Sequence, residues 1–69
     1  MKKLNNAFFE DINTFLKKQA EVISLLIEYG NSEQDAVEMM NEEFNYVYKT
    51  YPNASNEKMA EIVSSLNAF

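Results

Sequence analysis

At 69 residues and 8.0 kDa the chain has room for one small domain. Its 46% hydrophobic and 25% charged content is that of a globular protein, and one Gly and one Pro leave too little turn material for a β-sandwich. The formal charge is −5, and with no Cys and no His the chain has no disulfide, none of the usual zinc ligand sets and no Cys or His catalysis.

The first predicted helix runs from about Asn6 to Tyr29, with Asn5 as its N-cap and Leu4 and Phe9 placed to close a hydrophobic staple. At about 100° per residue, Leu4, Phe8, Ile12, Phe15, Val22 and Leu26 form one apolar stripe. Phe9, Leu16, Ala20, Ile23 and Ile27 form a second stripe beside it. Together they cover about half the cylinder, more than the ~100° of an ordinary surface helix. Covering that much takes two neighbours, or one neighbour and a second copy of the chain. Leu25 points away from both stripes, on the side of Ala7, Thr14, Lys18 and Glu21.

Gly30 supplies the left-handed residue that ends a helix, and Ser32 caps the next one. The second helix then runs from about Glu33 to Lys49 or Thr50, with Asp35 completing a short form of the capping box. Ala36, Val37, Met40, Phe44, Val47, Tyr48 and Tyr51 form its core stripe, while Asp35, Glu38, Glu42 and Lys49 face the other way. Pro52 moves Tyr51 out of helical geometry, and Ser55 caps a third helix over Asn56 to Asn67. Met59, Ile62, Val63 and Leu66 recur there at helical spacing. No window alternates in the strand period. The expected fold is a single all-α domain of three helices, the first one long.

Candidate chemistry is sparse. Asn31, Glu33, Asp35 and Glu42 fall at calcium-loop positions one, three, five and twelve, but Ala36 stands at position six, where the loop needs Gly. A capped helix start explains the segment better. Glu38, Glu42 and Asp35 share a face with nothing apolar around them to raise a carboxyl pKa, which describes a solvated surface. The Ser and Thr hydroxyls have no His to activate them. No catalysis, no metal and no cofactor are therefore expected. The most apolar run, Val22 to Ile27, is too short to span a bilayer, and Asn5, Asn6, Glu10 and Asp11 interrupt any signal-like opening. A cytoplasmic location is expected.

Charge is unevenly placed. Residues 1–18 carry Lys2, Lys3, Lys17 and Lys18 against Glu10 and Asp11, a net +2. Residues 19–48 carry seven acids and no base, a net −7. That segment repels phosphate backbones and anionic lipid, and with no Arg in the chain the two lysine pairs make no nucleic-acid patch. Direct nucleic-acid and membrane binding are not expected. The expected partner is another protein, and a basic, nucleic-acid-binding one would suit the acidic segment. Met39 and Tyr46 fall one flank away from the second helix's core stripe, seven residues apart, so Asp35, Met39, Glu42, Glu43 and Tyr46 form the candidate partner-binding face. Phe9, Leu16, Ala20, Ile23 and Ile27 form the candidate interface of a homodimer, since a chain this small gains most from a second subunit.

Overall fold

The computed structural model describes the backbone of residues 2–68 and the side chains of residues 12–68. Three helices account for nearly all of it: α1 (Lys2–Glu28), α2 (Glu33–Thr50) and α3 (Asn56–Asn67). No strand occurs among the described residues. The four residues between α1 and α2 return the chain antiparallel to itself, so Phe15 of α1 meets Phe44 and Tyr48 of α2. α3 then runs parallel to α1. Its first residue, Asn56, contacts Lys18 and Glu21, and its last, Asn67, lies beside Asn31 and Asp35.

α1 begins earlier than expected, at Lys2, so Asn5 lies inside the helix and does not cap it. Lys2, Lys3 and Leu4 are good helix formers, and propagating one more turn from a formed helix competes well against a single capping bond. The staple expected of Leu4 and Phe9 lies outside the described side chains. At its other end α1 stops at Glu28, one residue short of Tyr29. Gly30 takes a φ of +112°. Its N–H donates to the Ile27 carbonyl at 3.0 Å, and the Asn31 N–H donates to the Leu26 carbonyl at 3.2 Å. These two bonds make a Schellman ending, which satisfies carbonyls that the helix itself leaves unpaired. The Asn31 side chain adds a third donor, to the same Leu26 oxygen, at 2.8 Å.

The other two expected N-caps form. Ser32 Oγ accepts from the Asp35 N–H, and Ser55 Oγ accepts from the Lys58 N–H, each at 3.1 Å. Before Pro52, Tyr51 leaves helical geometry at φ −127°, ψ 62°, as expected.

The core is Val22 and Leu26 of α1, Ala36, Met39, Met40, Phe44 and Val47 of α2, and Met59, Ala60 and Val63 of α3. Phe15, Phe44 and Tyr48 form an aromatic triad with centroid separations of 4.9–5.7 Å at the α1–α2 contact. No polar side chain is buried among the described residues.

Two predicted faces turn out rotated. On α2, Val37 and Tyr51 are largely exposed and Met39 takes a core place, because α3 packs on the Met39 side of the helix. On α1, Leu25 packs against the core and does not point to water. α3 lies along the side of Lys18, Glu21 and Leu25, so the helix is covered from the first stripe toward Leu25. The second stripe is left on the uncovered side.

Candidate functional site

The residues proposed for partner binding share one stripe of α2. Asp35, Met39, Glu42 and Tyr46 follow at steps of four, three and four, which places them along one line of the helix. Three of them line a shallow groove with Asn31, Glu38 and Asn67, where the end of α3 meets the first half of α2. Met39, 5% exposed, forms its floor. The expectation that Met39 lies on the surface is therefore corrected: Met39 belongs to the buried core, and the residues exposed around it are the carboxylates. Glu43 is half-buried, and Tyr46 lies outside the groove one turn further on.

Tyr46 is 55% exposed, the highest value among the large apolar side chains found on the surface of the described residues. No hydrogen bond is formed by its hydroxyl among the described residues, and Glu42 precedes it by one helical turn.

The carboxylates around Tyr46 are electrostatically open. Among the described residues one ion pair lies within 4.0 Å, Lys58 to Glu61 at 3.9 Å on α3. Among the described residues Glu33, Asp35, Glu38, Glu42 and Glu43 thus have no basic partner at that distance. Asp35, Glu38 and Glu42 lie close enough to line one groove, yet no group of three acidic side chains among the described residues is placed to hold a metal ion. The segment tested as a calcium loop is helical from Glu33 onward, so its oxygens point apart and do not converge.

The candidate dimer residues divide. Leu16 is 53% exposed, Ile27 is 39% exposed and Ala20 is exposed. Ile23 is half-buried against the core. Phe9 lies outside the described side chains.

Sequence reasoning missed one contact. Lys18 Nζ donates to Asn56 Oδ1 at 2.8 Å, and Asn56 Nδ2 donates to Glu21 Oε1, so one amide ties a cation and an anion of α1 to the start of α3. The signal available was that the polar Lys18 and Glu21 share a face of α1 with the apolar Leu25. Among the described residues no helix is long and apolar enough to cross a membrane. The chain matches no protein-family model, no curated protein and no solved structure.

Proposed function

We propose that the chain is a non-catalytic protein-binding module, an adaptor or inhibitor, that engages a basic protein through the outer face of α2. The observation that carries this reading is Tyr46, an amphipathic side chain left 55% exposed on a helix whose acids form no ion pair within 4.0 Å among the described residues. Exposed tyrosines of this kind serve as anchors, because they bury much area at the cost of few rotatable bonds. The surrounding carboxylates set orientation and raise the association rate of a cationic partner. A non-catalytic role agrees with an inventory that has hydroxyls but no His or Cys to activate or replace them.

The test is a comparison of captures. Wild-type protein and Tyr46→Ala, immobilised at equal density, are exposed to extract of the source cell. A partner retained by wild type and lost from Tyr46→Ala at equal helicity supports the reading. A partner retained equally by both overturns it.

A second reading is favoured by a separate observation. Leu16, Ala20 and Ile27 stay exposed after α2 and α3 have packed. An apolar line of this length on a small domain is the usual mark of an interaction surface, and self-association through α1 would cover it.

A further inference from the structure

We propose that two copies of this chain pair through α1 in antiparallel orientation, about a two-fold axis beside Ala20. This rests on the self-association reading above and adds the direction and register of the contact.

The uncovered side of α1 carries Ile12, Leu16, Ala20, Ile23 and Ile27. Its large members are spaced four, seven and four residues apart, the same from either end. An antiparallel copy in register therefore sets Leu16 opposite Ile23 and Ile12 opposite Ile27. Every large side chain meets another, as an isologous contact requires. The midpoint falls between Gln19 and Ala20, where the short Ala20 side chain lets the two helices approach.

A parallel pair would also match apolar residues, so charge decides the direction. Within residues 11–28, the stretch of α1 that pairs in this register, the charged residues are Asp11, Lys17, Lys18, Glu21 and Glu28. Lys17 and Glu28 are exposed along the outer margin of the strip. Parallel pairing sets Lys17 beside Lys17 and Glu28 beside Glu28. In the antiparallel register Lys17 and Lys18 of each helix lie level with Glu21 of the other, a pairing of opposite charges that parallel packing lacks, while Glu28 falls level with Asp11. On the α2 side, the groove next to the strip is lined by the uncharged Phe15, Gln19, Asn41 and Asn45. The acids Asp35, Glu38 and Glu42 line a different groove, toward the end of α3. A second copy of this −5 chain can thus dock on the strip without meeting the main acidic row.

The absence of native cysteine makes single introduced thiols informative. Ala20→Cys and Ile27→Cys are each oxidised at tens of micromolar, and the mass of wild type is measured by sedimentation at the same concentration. The expected result is a wild-type mass near twice 8.0 kDa, with Ala20→Cys closing a covalent dimer at least tenfold faster than Ile27→Cys. In antiparallel register the two Ile27 positions lie about fifteen residues apart, ~22 Å along the helix, beyond the reach of a disulfide. Equal closure by both variants overturns the antiparallel direction and leaves self-association standing. A dimer mass with neither variant closing overturns α1 as the seam. A monomer mass overturns self-association and this inference together. Ala20→Glu, at an exposed position, should keep its helical circular dichroism and sediment as a monomer, and a persisting dimer would also overturn the seam.

Discussion

Phe44 is 1% exposed and touches both Phe15 and Tyr48, so its ring joins α1 to α2. Phe44→Ala should cost roughly 3–5 kcal/mol, since the cavity it leaves is held open by three helices. Glu38→Lys and Glu42→Lys, both on the exposed side of α2, should stay within about 0.5 kcal/mol of wild type. Thermal melts check all three, and a wild-type melting temperature for Phe44→Ala would contradict the packing. Met39 and Tyr46 make the sharper pair. They lie on one stripe of α2, yet Met39 is 5% exposed and Tyr46 is 55% exposed. Met39→Ala should therefore lower stability by about 2–5 kcal/mol, while Tyr46→Ala leaves the melt nearly unchanged. The wheel of α2 was enough to put these two residues on one line. It could not show which edge of that line α3 would cover, because that depends on a helix from elsewhere in the chain. For the same reason Val37, apolar and on the expected core stripe, ends up 39% exposed.

Among the elements, the joints were the most legible. Gly30, Ser32, Pro52 and Ser55 each act through chemistry local to a few residues, and all four do what their types imply. Gly30→Ala meets no atom within 4 Å, so any loss comes from the backbone alone. At φ +112° that loss should be about 1–2 kcal/mol, read from denaturant unfolding. An unchanged midpoint would show that the Schellman turn relaxes freely. Helix starts with no such punctuation were less legible, as Asn5 shows by lying inside α1. The phase of α1 was half legible. Its two stripes were evident, but α3 packs toward Leu25 through the Asn56 clasp on Lys18 and Glu21. α1 is also longer than its partners. By residue count it outreaches α2 by roughly nine residues, or about 13 Å, which accounts for a molecule 43 Å long and only 18–21 Å across.

The molecule as a whole presents two unlike surfaces. One is the outer face of α2, with carboxylates above a methionine floor and Tyr46 beyond them. The other is the apolar strip of α1, bordered by uncharged residues on one side. In the proposed reading charge separates their roles: the acidic face would attract cations at a distance, whereas the strip would gain only on contact. Association with a basic partner should accordingly slow as salt rises, since the Debye length falls from about 10 Å at 0.1 M to about 3 Å at 1 M. Composition alone made the acidic balance and the lack of His and Cys plain. Where the acids would stand unpaired was not plain, because ion pairing depends on which lysines the packed helices bring near.

Tyr46 is proposed to anchor a partner without supporting the fold. The most direct test is the dissociation rate of the captured partner from wild type and from Tyr46→Ala, measured on a sensor surface with melting curves alongside. Dissociation about 30-fold faster from Tyr46→Ala is expected, equivalent to ~2 kcal/mol, with an unchanged melting temperature. Equal dissociation rates, or a variant that loses its fold, would contradict it.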